Sequence, residues 1–176
     1  MLLVTVPAGE MYNEDTKEFV QIPETKLRLE HSLVSLAKWE SKWKKPFLST
    51  EKTREMTVDY IRCMNLTQNV DPNVFTFISD ENIRIINEYI DDPMTATWFN
   101  ERNKERNSRP EVITAEIIYY WMIALQIPVD FQKWHLNRLL TLVRVCNIKN
   151  APKEQMSAQE TIAMHRALNA ARRKKK

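Results

Sequence analysis

The chain has 176 residues, 43% of them hydrophobic, with 26 Lys and Arg against 23 Asp and Glu for a net charge of +3. That is enough for one domain that buries a core without disulfide or metal staples. The single glycine, Gly9, excludes glycine-rich phosphate loops of the dinucleotide and Walker A kinds. It equally disfavours propellers and tight-hairpin barrels, which need glycine at many turns with positive φ.

Residues 1–22 read as a small β hairpin. Leu2, Val4 and Val6 alternate with Leu3, Thr5 and Pro7, and Met11-Tyr12 and Phe19-Val20 flank a polar turn over Asn13–Lys17. Pro23 is expected to end this element. A two-stranded pair is too small to stand alone, so it must pack on helices or on another chain. Residues 25–99 read as an N-terminal helical half. Thr25 is expected to cap a first helix running to Trp43, with Leu29, Leu33, Leu36 and Ala37 as its apolar stripe and Trp39 and Trp43 one turn apart. Pro46 ends it. A second helix starts near Ser49 or Thr50 and carries Met56, Tyr60 and Met64 at spacing four. A turn follows at Asp71-Pro72-Asn73, then a short helix capped by Ser79 with Ile83, Ile86 and Ile90 on one face. Asp91-Asp92-Pro93 is read as its stop.

Residues 100–111 form the most polar stretch, without an apolar residue, and read as an exposed loop. Beyond it lies a C-terminal helical half over 112–171. Ile113 to Gln126 is apolar on nearly every side, which marks a central helix or one that shares its second face with a partner. Asp130 is expected to cap a helix from Phe131 to Cys146. A capping box at Ser157-Ala158-Gln159-Glu160 opens the last helix, and residues 172–176 form a basic tail. Arg166, Arg172, Arg173, Lys174, Lys175 and Lys176 are cationic with no acidic residue among them, leaving the remainder mildly acidic. Such a tail is a candidate contact for nucleic acid or an acidic partner, and otherwise a solvated terminus. The fold class is therefore mainly α, a bundle of about six helices with a short N-terminal β hairpin in a single domain.

No catalytic constellation stands out. His31, His135 and His165 fall on three separate helices without the i, i+4 spacing of a metal-binding helix. Cys63 and Cys146 lack C-x-x-C spacing and sit at apolar helical positions, where a thiol behaves as a small hydrophobe. No metal, no cofactor and no catalytic residue is expected. The opening residues lack a basic segment ahead of the apolar run, which stops at Pro7, and no stretch reaches the ~18 apolar residues of a membrane span. A cytoplasmic protein without membrane contact is expected. The helices around Ile127-Pro128 resemble a helix-turn-helix in outline, but Phe131 and Trp134 occupy the end that would read bases. Five tryptophans and eight methionines in a chain without catalytic pattern point to a binding or assembly component. Trp39, Trp43, Tyr119, Tyr120 and Trp134 are the candidate partner-binding residues.

Two stretches carry a family likeness: LEHSLVSLAKWESKWKKPFL from Leu29 to Leu48, and ITAEIIYYW from Ile113 with WHLNRLL ending at Leu140. They resemble small proteins encoded among the virion and tail genes of tailed bacteriophages. The short hairpin, followed by Pro23, Thr25 and Leu29-Glu30 leading into a helix, is similar to tail assembly chaperones. The resemblance implies a mainly helical, non-enzymatic protein in the host cytoplasm. It would hold tape-measure or tail-tube proteins before polymerisation, with homo-oligomers among its states. The basic end at Arg172–Lys176 departs from that pattern. It better suits the alternative, a head-to-tail connector or neck subunit that stays in the virion beside neighbouring subunits and touches DNA non-specifically. A DNA-binding regulator is the third reading.

Overall fold

A computed structural model of the chain describes residues 1–13, 17–99, 112–151 and 166. The expected loop at 100–111, the capping box at Ser157 and the basic tail at Arg172–Lys176 lie outside the described residues. Arg166 is helical.

The N-terminal element is longer than its pattern suggested. Strands β1 (Leu2–Val6) and β4 (Thr25–Leu29) pair antiparallel, and β2 (Gly9–Asn13) pairs with β3 (Glu18–Ile22). Val6 faces Thr25 and Gly9 faces Ile22 in unbroken register, so these are two segments of one hairpin. The break falls at Pro7 and Pro23, neither of which has an N–H to give to the ladder. Pro23 thus interrupts the hairpin instead of ending it, and Thr25 begins a strand, not a helix. The reason is visible in burial: Leu27 and Leu29 are fully buried while Lys26 and Arg28 are exposed, a period of two. The outer edge of β4 is then covered by residues 64–66. Leu66 N–H donates to Arg28 O (2.8 Å) and Glu30 N–H to Met64 O (3.0 Å). Gly9 lies so close to the Phe77 ring that an added Cβ would fall 2.2 Å from one of its carbons.

Helix α1 (Leu33–Trp43) opens on Ser32, whose hydroxyl accepts from Ser35 N–H while the Ser35 hydroxyl accepts from Ser32 N–H. It stops where Lys44 turns left-handed at φ 54°. Helix α2 (Arg54–Met64) starts later than expected. Thr53, not Ser49 or Thr50, caps it, and Met56, Tyr60 and Met64 are all buried as their spacing predicted. The Asp71-Pro72-Asn73 turn is the start of a 3₁₀ turn, Pro72–Phe77. Helix α3 (Asp80–Asp91) has Ser79 in a capping box with Asn82, and Asn82 also donates to Thr5 O of β1 (3.2 Å). Asp92 ends α3, its carboxylate accepting from Met94 N–H (2.7 Å), an Asx turn of the expected kind.

Helix α4 spans Ala115–Ala124. The helix expected from Phe131 is instead a 3₁₀ turn, Val129–Lys133, followed by α5 (Leu136–Asn150). Asp130 caps nothing: the turn closes through Phe131 N–H to Pro128 O and Trp134 N–H to Phe131 O. The chain is thus mainly helical with an N-terminal hairpin. Residues Met1–Cys146 form one compact unit, and Asn147–Lys176 a second. The core of the first joins the inner face of β1 and β4 to Leu33, Leu36, Trp39, Ile61, Ile86, Ile118 and Leu139. No helix among the described residues is long and apolar enough to cross a membrane.

Candidate functional site

Helix α4 has the sequence AEIIYYWMIA, with Glu116 its only charged residue. Ala115, Ile118 and Met122, spaced three and four apart, turn into the core. The opposite face is open, formed by Glu116, Tyr120, Ile123 and Ala124, one carboxylate among apolar side chains. Tyr120 is 66% exposed and Ile123 76%, and Val129 just beyond the helix is 64% exposed. An isolated exposed leucine or isoleucine is ordinary; here an aromatic and an aliphatic residue one turn apart form a small exposed apolar pair on the outer face of the helix.

The helix is anchored so that this face stays outward. Thr114 makes no side-chain cap. Its role passes to Glu40 of α1, which is buried and whose two carboxylate oxygens accept from Ala115 N–H (2.7 Å) and Phe47 N–H (2.7 Å). A carboxylate at a helix N-terminus satisfies an orphan donor and meets the positive end of the dipole. The far side of the helix is held by Tyr119, whose hydroxyl donates to Gln132 Oε1 (2.9 Å).

The five predicted partner residues separate accordingly. Trp39 is fully buried, and its indole N–H donates to Met56 O (3.0 Å). It belongs to the core and is unavailable to a partner. Trp43 stacks on it at 6.1 Å between ring centroids, half-buried, and donates to Asp59 Oδ2 (2.9 Å). Tyr119 is half-buried as an anchor. Trp134 lies flat on Phe131 (3.9 Å, 15°) with the Arg138 guanidinium over its ring at 4.1 Å. Only Tyr120 presents its ring to solvent. Ile123, which shares the open face with Tyr120, escaped the sequence reading because that reading favoured large aromatics. The signal was there in a helix apolar on nearly every side.

A second arrangement was not legible. His31 and His135 do not sit within helices. His31 precedes the Ser32 cap and His135 precedes α5, and the two meet with ring centroids 5.1 Å apart. The backbone brings them together, since Leu136 N–H donates to His31 O (2.7 Å). Both are buried, at 2% and 6% exposure. His31 Nδ1 is hydrogen-bonded to the Tyr60 hydroxyl at 2.5 Å. Burial above all, then the neighbouring His135 and Lys52, holds the His31 imidazole down at about 3. Burial likewise pushes the Tyr60 phenol far up. His135 Nε2 lies 2.9 Å from Tyr89 O. A carbonyl only accepts, so Nε2 carries a proton, and the buried Nδ1 has no hydrogen-bond partner among the described residues. The Tyr89 hydroxyl donates to Glu30 Oε1 (2.8 Å). Among the described residues no group of three or more His, Cys, Asp or Glu is placed to hold a metal ion. Cys63 is half-buried, which pushes its thiol up and leaves it a poor nucleophile. Compared with protein-family models, with curated proteins and with solved structures, the chain finds no match.

Proposed function

We propose that this chain is a non-enzymatic assembly protein of the tail-chaperone kind, binding tape-measure or tail-tube proteins in the host cytoplasm during virion morphogenesis. The observation that supports the reading is the exposed pair Tyr120 and Ile123 on the outer face of α4, a helix whose N-terminus the Glu40 carboxylate holds. Segments of a polymerising tail protein expose apolar surface before assembly, and a reversible apolar contact keeps them from aggregating. The helices are read as a bundle around α1, against which α2 and α4 both pack. The polar seam at His31 serves, on this reading, to fix α1 against α5 and not to perform chemistry.

The test is co-expression with the tape-measure protein. The double variant Tyr120→Glu, Ile123→Lys removes apolar surface without touching the core, so its unfolding midpoint should stay within about 0.5 kcal/mol of the parent. It should lose most of its ability to keep the tape-measure protein soluble. Retained solubilisation by a folded double variant overturns the assignment of this face.

One observation favours the alternative of a connector or neck subunit. The β2–β3 end of the hairpin pairs with no third strand among the described residues, and it carries an exposed Tyr12–Phe19 pair at 5.2 Å, edge to face. Such an arm can extend a neighbour's sheet. Quantitative mass spectrometry of purified particles beside the infected-cell lysate separates the two. Abundance in lysate with absence from particles fits the chaperone, and a fixed copy number per particle fits the connector.

A further inference from the structure

A cleft of about 360 Å³ opens between α2, α3 and the segment 47–52. Its walls are apolar at Phe47, Leu48, Ile86 and Ile90, and the buried His31–Tyr60 pair lies among its lining residues. Lys52 also lines it. Its ammonium donates to Phe47 O (2.7 Å) and Thr50 O (3.2 Å) and lies 3.9 Å from the Phe47 ring centroid. Two of its three donors are thereby used. Among the described residues no carboxylate comes within ion-pairing distance of it. A half-buried ammonium held in place by carbonyls and a ring, yet lacking a counter-ion, is an uncompensated charge. Asn87 on the same cleft has an amide without any partner among the described residues.

We propose that this cleft binds a carboxylate carried on a short apolar body, with the Lys52 ammonium as its counter-charge and the Asn87 amide as a second donor. The size suits one branched alkyl group or one ring, at the small end of ligand pockets. His31 and Tyr60 are both uncharged in their ordinary state, so they offer polarity to the bound group without competing as counter-ions. The remaining charge on the cleft is Asp91, at the end of α3. It is exposed, so water screens it far more than it screens Lys52. The same chemistry is offered by a free small acid and by the C-terminal residue of a polypeptide. The inference does not rest on the tail-assembly reading.

The test is calorimetric titration of the full chain with 4-methylpentanoate, with its amide, and with a pentapeptide ending in leucine as the free acid or the amide. Saturable binding by at least one acid, at about 0.1–5 mM, is expected. The matching amide should bind about tenfold more weakly, as should the acid to Lys52→Met, because one charge-assisted hydrogen bond is lost. Asn87→Leu, an exposed change that leaves the fold intact, should weaken the acid about threefold, and Asp91→Asn should tighten it about twofold. A peptide acid that outperforms the free acid identifies a polypeptide end, and the reverse identifies a small acid. Four results overturn the proposal. One is the absence of saturation by either acid up to about 20 mM, and a second is equal binding of acid and amide. The others are a folded Lys52→Met that binds as the parent does, and an Asp91→Asn that weakens binding, which would mean a cationic or zwitterionic ligand.

Discussion

At the scale of single residues, His31 couples the core to pH. Its imidazole, buried beside His135 and Tyr60, is held down at about 3 when folded, against an ordinary value of 6.5. A depressed folded value means that the unfolded chain binds the proton more readily. The stabilisation is therefore complete above pH 6.5 and is lost as pH falls toward 3. Over that window this one group should cost about 1.4 kcal/mol of stability per pH unit. Urea unfolding at pH 7.5, 6, 5 and 4 checks it, with His31→Gln expected to flatten the slope. An unchanged slope in the variant would show that other groups govern acid stability. None of this was legible from spacing, because His31 and His135 are neighbours only through the Ser32–His135 bridge, and long-range pairing leaves no local pattern.

At the scale of elements, the instructive case is the strand–helix boundary between Pro23 and Leu33. Leu29, Leu33 and Leu36 satisfy a helical stripe at spacing three and four almost as well as they satisfy the end of a strand followed by a helix. What decides between them is Ser32. Its reciprocal hydrogen bonds with Ser35 give a start signal as good as Thr25 gives on paper, and β1 supplies Leu27 and Leu29 with a partner strand that helix formation would forfeit. Thr25 spends its hydroxyl on Pro23 O (2.9 Å). The boundary is testable by two alanines. Ser32→Ala should cost about 1 kcal/mol, the usual loss of a cap, whereas Thr25→Ala should stay within about 0.5 kcal/mol in thermal unfolding. The opposite order would restore the helix to Thr25. The same contest was lost at Asp130, where a good capping residue sits in a 3₁₀ turn because the Phe131–Trp134 stack favours the tighter geometry. Where only one element fits the pattern, as for α3 behind Ser79, the sequence reading and the structure agree.

At the scale of the whole molecule, the helical class and the hairpin were legible from a single glycine and a run of alternating residues. The division of α4 into a buried and an open face was half legible: a helix apolar on nearly every side reads as central or as sharing its second face, and the fold buries only the face of Ala115, Ile118 and Met122. Which aromatic residues face outward could not be read, because Trp39, Trp43 and Trp134 have the same composition signal whether they line a core or a surface.

The Glu40 carboxylate carries one more consequence. It reaches 75 residues along the chain to Ala115 with one oxygen and to Phe47 with the other, so two distant backbone amides depend on one side chain. Freed from it, each would be an unsatisfied buried donor. Solvent deuterium should therefore find the two amides protected by a common opening, with matching exchange rates under native conditions. Glu40→Gln should accelerate both together, by about tenfold or more, while amides in the middle of α2 keep their protection. Residue-resolved exchange by NMR reads this directly. Independent rates at Phe47 and Ala115 would mean that α4 is held by its apolar contacts alone.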